Sequence, residues 1–151
     1  MPILRSSVIA LSMVLPILSA PAIASPVCVS VPEANLRQGP GTQFEKSWEV
    51  FKYMPFRQVG QQGDWLQVED LDGDKHWIYR PLVSDGIKCA VVKSKEANVR
   101  NGPGTQHAKS ALSPVERYYS FRITSQKGDW VQVEDEVFNA GWVHKSLLWM
   151  P

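Results

Sequence analysis

Residues 33–43 read EANLRQGPGTQ, and residues 96–106 read EANVRNGPGTQ, so one block recurs 63 positions later (96 minus 33). Its Gly-Pro-Gly core cannot lie inside a helix or a central strand, because proline lacks an amide donor and paired glycines cost backbone entropy. The block therefore predicts a loop. We expect its arginines to hydrogen-bond either backbone carbonyls or a nearby acidic side chain, and its asparagines to cap the turn. The residues that define this structural motif are Asn35, Arg37, Gly39 and Gly41 in the first occurrence, and Asn98, Arg100, Gly102 and Gly104 in the second.

Two further blocks repeat in the same order. Residues 63–70 read GDWLQVED and residues 128–135 read GDWVQVED, 65 positions apart (128 minus 63). The same offset relates Trp77-Ile78-Tyr79 to Trp142-Val143-His144. Three ordered matches indicate two copies of one unit, with two extra residues ahead of the second block in the second copy. A period of this length suits a small self-contained domain rather than a solenoid repeat.

Alternation is the main secondary-structure signal within each copy. Trp65, Gln67 and Glu69 fall on one side of an extended segment, whereas Leu66 and Val68 fall on the other. The pattern is typical of a half-buried strand, and the Gly-Asp pair before it suits a tight reversal between antiparallel strands. No long helical period occurs in the rest of either copy. The sequence therefore predicts an all-β fold of two small closed barrels in tandem.

The first 24 residues have the composition of a cleavable secretory signal. Arg5 precedes an apolar stretch at residues 8–18, and Ala22-Ile23-Ala24 matches the small-x-small cleavage pattern. The apolar stretch is shorter than the roughly 20 residues that a membrane-spanning helix needs. We expect an exported protein, periplasmic or extracellular, with one module at residues 25–88 and the other at 89–151.

The charge balance argues against an electrostatic partner. The chain has 16 basic and 15 acidic residues, and removal of Arg5 with the signal leaves 15 of each. A neutral mature chain has no overall basic field to hold nucleic acid or anionic lipid. We therefore predict no nucleic-acid binding. The short apolar stretch of the signal predicts, separately, that no membrane span remains after cleavage.

The three repeated blocks resemble the bacterial SH3 family, often called SH3b, in tandem. The blocks that carry the resemblance are residues 35–42 and 98–105, residues 63–68 and 128–133, and residues 141–148. The first copy departs at the third block, where His76 stands in place of the glycine and Arg80-Pro81 in place of Lys-Ser. The resemblance implies five-to-six-stranded SH3-like barrels, an exported protein, and a binding role towards peptidoglycan peptides or other envelope proteins. It implies no reaction and no cofactor.

Cys28 and Cys89 are the only cysteines, and an exported chain meets an oxidising compartment. The leading interpretation is one disulfide between them. If Cys89 lies on the closing strand of the first barrel, as the close ends of SH3-like barrels imply, the bond would staple the first module. The alternatives are a bond to another chain or two buried thiols.

The titratable residues do not form a recognisable metal or calcium motif. His76, His107 and His144 are scattered singly, without a His or Cys neighbour at metal-ligand spacing. The acidic runs at residues 69–74 and 134–136 lack the calcium-loop pattern and suit solvated hairpin tips. We predict no metal and no cofactor.

The aromatic residues are the candidate ligand contacts. Alternation places Trp65 and Trp130 opposite the core rows, so each is expected to lie partly on the outer surface. They either line a peptide groove or pack flat on a cross-strand aromatic neighbour. The other candidate ligand-binding residues are Trp142, Tyr118, Tyr119 and Tyr53, and Trp48 and Phe51 lie in the same variable region.

These observations leave three hypotheses. The first is a non-enzymatic tandem binding protein for a cell-wall peptide or an envelope protein, which includes an accessory subunit of a cell-wall hydrolase. The second is a structural spacer or assembly subunit, and the oligomeric state is open. The third, a hydrolase, would need a nucleophile-base pair, and none stands at a convincing spacing. We expect the second module to be the main ligand-binding module, and the first module to be the one that the disulfide stabilises.

Overall fold

A computed structural model describes residues 24–151, so the predicted signal, apart from Ala24, lies outside the described residues. The described chain is built from short strands and two short 3₁₀ turns at Arg80–Leu82 and Lys145–Leu147. The strands are β1 (Ser25–Val29), β2 (Glu33–Arg37), β3 (Lys46–Phe51), β4 (Pro55–Gln62), β5 (Trp65–Glu69), β6 (Lys75–Tyr79), β7 (Val83–Ser84), β8 (Cys89–Val92), β9 (Glu96–Ala97), β10 (Val115–Glu116), β11 (Ser120–Lys127), β12 (Trp130–Glu134), β13 (Ala140–His144) and β14 (Leu148–Trp149).

The first seven strands form one sheet, in the order β3-β2-β6-β5-β4-β1-β7. All its pairs are antiparallel, and Arg37 on β2 pairs with Trp77 on β6. A register shift between Gln58 and Gly60 bends β4, which lets one long strand pair with β5 at one end and β1 at the other. The core inside this sheet includes Leu36, Val50, Phe56, Leu66, Val68 and Ile78.

The second copy repeats this arrangement in two pieces. Strands β13-β12-β11-β8-β14 form one sheet, and β9 and β10 form a separate pair. The split lies at the two-residue insertion. There, residues 111–114 of the second copy occupy the place of Trp48 and Glu49 on β3 of the first. Pro114 in this segment has no amide hydrogen to donate to a neighbouring strand. The core of this module includes Val99, Val115, Phe121, Val131, Val133 and Val143.

The predicted alternation and hairpin are confirmed. Leu66 and Val68 are buried, whereas Trp65 is half-buried on the other side of β5, and β12 repeats the pattern. Gly63 and Gly128 both have φ of +57°, the left-handed conformation that a tight two-residue reversal requires. The all-β fold of two small tandem β domains is therefore confirmed.

Candidate functional site

The disulfide joins Cys28 to Cys89, with the two Cα atoms 6.3 Å apart. Cys28 lies on β1, and Cys89 lies on β8, which pairs with β11 and β14 of the second module. The expectation that Cys89 closes the first barrel was wrong. At the start of each copy, Cys28 is equivalent to Val91, whereas Cys89 is equivalent to Pro26, so the bond links the two opening strands at non-equivalent positions. The disulfide therefore cross-links the two modules rather than two strands of the first module.

The modules also meet through the same turn of each copy. Tyr53 and Tyr118 are equivalent (118 minus 65), and both have positive φ, 68° and 72°. Tyr53 is 7% exposed and packs beside the disulfide, whereas Tyr118 places its ring edge-on to Trp48 of the first module with centroids 5.1 Å apart. The hydroxyl of Ser120 donates to the Lys52 carbonyl across the interface at 2.8 Å. Two modules that share such contacts form a continuous packed unit.

A cleft of about 370 Å³ opens between the modules beside this interface. It contains Tyr118 and Tyr119, both candidates from the sequence, but Tyr53 is buried outside it. The first module contributes residues 48–52 and Met54. The second contributes residues 116–120, Asp135 and Glu136.

A second groove, of about 540 Å³, lies on the first module alone. Its aromatic wall is formed by Trp65 and Tyr79, whose ring centroids lie 5.6 Å apart, and Tyr79 is 40% exposed. Opposite them lie the residues of the repeated loop. The remaining lining residues are Glu33, Ala34, Asn35, Arg37, Pro40, Gly41, Thr42, Gln43 and Leu82.

Arg37 fixes the shape of that loop. Its guanidinium donates to the carbonyls of Thr42 at 3.2 Å and Phe44 at 2.8 Å, one of the two kinds of partner expected from the sequence. The ring of Phe44 lies where a side chain at residue 39 would project, so a Cβ there would come within 2.4 Å of the ring and would displace it. The groove is therefore bounded by a loop that is held before any ligand arrives.

The second module has the corresponding residues in a different setting. Arg100 donates to the His107 carbonyl at 2.8 Å, which repeats the role of Arg37. Trp130 stands edge-on to His144, with centroids 5.3 Å apart, where the first module has the Trp65–Tyr79 pair. Trp142 is half-buried and exchanges two backbone hydrogen bonds with Arg100. The structure thus brings Trp130 and Trp142 to the module's surface but not to the inter-module cleft.

The expected caps at the asparagines are not formed. Asn98 accepts a long hydrogen bond of 3.4 Å from the Ser113 hydroxyl on the inserted loop rather than binding its own turn. Asn35 lies exposed on β2 and lines the groove of the first module. Asn35 is therefore one of the residues that line the groove of the first module.

One feature that the sequence did not reveal is a buried aspartate in each module. Asp70 is 5% exposed and accepts hydrogen bonds from the amides of Asp72 and Asp74, both at 2.9 Å. The ring of His76 lies 3.0 Å from Asp70 through Nε2 and 2.8 Å from the hydroxyl of Ser47 through Nδ1. The chain Ser47–His76–Asp70 ties β3 to the turn between β5 and β6.

Asp135 is the equivalent aspartate of the second module, where Gly141 replaces the histidine. Its partners are the amides of Val137 and Asn139, the Asn139 side chain and the hydroxyl of Tyr119, which donates at 2.9 Å. Burial opposes ionisation of Asp135, but these donors outweigh it and hold its pKa below the usual value. Burial, with the hydrogen bond to Asp135, raises the pKa of Tyr119 to about 12.

The bacterial SH3 domain family matches the chain twice, over residues 30–85 and 93–150. The chain belongs to the bacterial SH3 family. Its two SH3 modules therefore carry a recognised fold, and the resemblance drawn from the repeated blocks is confirmed.

Relatives of this tandem SH3 chain are longer proteins. It is 23% identical over 130 residues to "Putative N-acetylmuramoyl-L-alanine amidase YrvJ" of Bacillus subtilis (strain 168). The matched region covers 80% of this chain and 24% of that protein. Among solved structures, NlpC2 from Trichomonas vaginalis has a TM-score of 0.38 at 11% identity, over 88% of this chain and 50% of that one. An NlpC/P60 family protein from Bacillus cereus ATCC 10987 has a TM-score of 0.39 at 12% identity, over 84% and 56%. The tandem SH3 chain thus spans about a quarter of the curated relative and about half of the solved ones.

Two further observations concern the SH3 modules as described. Within residues 24–151, no three His, Cys, Asp or Glu side chains come together in a group that could hold a metal ion. Over the same residues, no helix has both the length and the apolar character needed to cross a membrane.

Proposed function

We propose that this tandem SH3 protein is exported and binds peptides of the cell wall or of an envelope protein, without catalysing a reaction. The observation that carries the proposal is the groove of the first module. It places two aromatic rings, Trp65 and Tyr79, opposite a loop that Arg37 holds in one conformation. Such a groove suits an extended peptide, whose backbone lies along a shallow channel while aromatic faces grip its side chains.

Two observations support the cell envelope as the setting. A disulfide between Cys28 and Cys89 is the kind of bond that forms and persists in an oxidising compartment. The curated relative is named as a putative N-acetylmuramoyl-L-alanine amidase. A binding module that recognises cell-wall peptides is consistent with both.

The groove favours the first module as the primary site, which changes the expectation that binding would be found first in the second. At the corresponding place the second module has His144 instead of Tyr79, and Trp130 stands edge-on to it. The second module therefore lacks the second large aromatic side chain that forms the groove wall together with Trp65 in the first module.

A sedimentation assay with purified peptidoglycan tests the proposal, with Trp65→Ala and its equivalent Trp130→Ala as matched variants. We expect Trp65→Ala to weaken binding by about tenfold or more, as loss of an aromatic anchor does, and Trp130→Ala to change it little. A folded protein that sediments with neither peptidoglycan nor any envelope protein would contradict the proposal. An obligate oligomer in light scattering that covers the groove would favour the spacer hypothesis.

A second candidate function is acyl transfer, because folding brings Ser47, His76 and Asp70 into a hydrogen-bonded series. A serine beside a histidine that is oriented by a carboxylate is the arrangement of serine hydrolases. We rank this candidate second, because the equivalent Asp135 is satisfied by Tyr119 without any histidine, which is what a purely structural role requires. A fluorophosphonate probe decides between them: labelling of Ser47 well above that of its equivalent, Ser110, would favour the hydrolase.

A further inference from the structure

We propose that one pair of residues decides which of the two modules binds a peptide. Tyr79 and Pro81 make the first module a binding module, and the equivalent pair, His144 and Ser146, leaves the second without a site. The inference rests on the proposed function and deepens it, because it names the specificity-determining residues of the groove.

The side chains that line the groove recur in the second copy. Eleven residues line the groove of the first module, and ten of them are identical at the equivalent positions of the second. Eight of the ten lie within residues 33–43 and recur within residues 96–106. The other two are Trp65 and Leu82, which recur 65 positions later. The lining therefore differs at a single position, where Tyr79 is replaced by His144.

The loop on one side of the groove has the same hydrogen bonds in both copies. Arg37 and Arg100 each donate to the equivalent loop carbonyl at 2.8 Å. The Gly41 amide donates to the Gly39 carbonyl at 2.9 Å, and the equivalent bond of the second copy measures 3.0 Å. The loop is therefore not what distinguishes the two modules.

The turn on the other side also has the same backbone. Tyr79 and His144 each precede a 3₁₀ turn, with φ of −68° in both and ψ of 124° and 132°. The first amide of each turn, that of Arg80 or Lys145, donates at 2.8 Å to the carbonyl of the hairpin aspartate. Residues 79 and 144 are thus held alike by the main chain, and the difference lies in their side chains.

The His144 ring is tied to its own turn, whereas the Tyr79 ring is not. Nδ1 of His144 lies 2.7 Å from the Ser146 hydroxyl oxygen and accepts from the Ser146 amide at 3.3 Å. Pro81 has neither an amide hydrogen nor a hydroxyl, and Tyr79 makes no such capping bond. Tyr79 is 40% exposed and packs beside Trp65. A large exposed aromatic ring contributes more to peptide binding than a smaller imidazole whose nitrogen already has a partner.

Exchanging the pair in the full chain tests the inference, with a purified muropeptide as the probe. Calorimetry counts the sites, and chemical shifts locate them. We expect the wild type to bind one muropeptide per chain and the variant His144→Tyr, Ser146→Pro to bind two, with the Trp130 indole signal now responding. The reverse variant Tyr79→His, Pro81→Ser should weaken binding at Trp65 by about tenfold or more.

Ala140→Lys is the matched control, because it also gives β13 a residue of the first module but lies outside the equivalent groove lining. It should leave one site. The proline at residue 146 should be tolerated, since among the described residues the Ser146 amide donates only to the His144 ring.

The outcomes separate this inference from the proposed function. Normal wild-type binding at Trp65, with Trp130 unmoved in a folded exchange variant, would overturn the inference alone. Undiminished binding by the reverse variant, or two sites in the wild type, would overturn it as well. A wild-type chain whose Trp65 signal does not respond would overturn both the proposed function and the inference.

Discussion

His76 Nε2 lies 3.0 Å from Asp70 Oδ2, and in the second module the hydroxyl of Tyr119 lies 2.9 Å from the equivalent carboxylate, that of Asp135. Two different side chains, one from β6 and one from the turn before β11, therefore satisfy the equivalent buried aspartates. An aspartate that is buried in this way is destabilising unless its oxygens are hydrogen-bonded, which explains why a partner is present in both copies.

Replacing His76 should therefore destabilise the first module. His76→Ala leaves one oxygen of Asp70 without its side-chain donor, and we expect the free energy of unfolding to fall by about 1–2 kcal/mol. His144→Ala is the control, because the His144 ring is hydrogen-bonded only to the nearby Ser146 and otherwise packs on Trp130, so its loss should cost less, about 0.5 kcal/mol. Urea denaturation measures both, and equal losses would contradict the role assigned to His76.

Tyr119 should make stability depend on pH in the alkaline range. Its pKa is raised from 10.0 to about 12 in the folded state. Below pH 10 the tyrosine is protonated in both states and the contribution is fully present. Between pH 10 and pH 12 the unfolded chain ionises first, so the contribution is lost as pH rises. Because Tyr119 is partly exposed, we expect a loss of about 1 kcal/mol.

Tyr119→Phe provides the comparison for this pH dependence, since other tyrosines and lysines titrate in the same range. The variant should lack the part of the alkaline loss that belongs to residue 119. Denaturation midpoints across the range, for both proteins, give the difference. Parallel curves for the two proteins would contradict the hydrogen bond to Asp135.

Phe138 should be a site at which glycine stabilises the protein. It has φ of 67° and is 77% exposed, whereas the equivalent residue in the first module is Gly73, with φ of 85°. A bulky residue in the left-handed region is strained, so Phe138→Gly should raise the free energy of unfolding by up to about 1 kcal/mol. Gly73→Ala should lower it by about the same amount, because nothing lies within 4 Å of the added Cβ and only backbone strain acts.

Removal of the disulfide should affect both modules. The bond spans 61 residues, and the chain-entropy model assigns such a loop about 4 kcal/mol. In the double variant Cys28→Ala, Cys89→Ala, amide exchange should accelerate in β1 and in β8 together. Faster exchange confined to the first module would contradict an inter-module staple.

The sequence was sufficient for the features that depend on local pattern. Alternation in residues 65–69 predicted a half-buried strand, and the Gly-Asp pair before it predicted the reversal, because both signals act between near neighbours. The recurrence of these blocks identified the family. Backbone carbonyls were one of the two partners expected for Arg37, and the structure selects them, at residues within seven positions of it.

The features that depend on packing between copies could not be predicted. The sequence identified Cys89 as the partner of Cys28. It did not show to which module Cys89 belongs, because this residue lies next to the boundary between the two modules. The inter-module cleft depends on Trp48, which meets Tyr118 only after both modules have folded. A signal for the buried aspartates existed, since Asp70 and Asp135 end the same repeated block. Their partners, His76 and Tyr119, do not occupy equivalent positions.

The central claim is that the groove of the first module binds a cell-wall peptide, and a chemical-shift titration with a purified muropeptide tests it most directly. We predict saturable shifts at Trp65, Tyr79 and the loop that Arg37 holds, with those shifts lost in Trp65→Ala and retained in Trp130→Ala. A titration that leaves the Trp65 and Tyr79 signals unmoved, or that moves only those of Trp130, would contradict the claim.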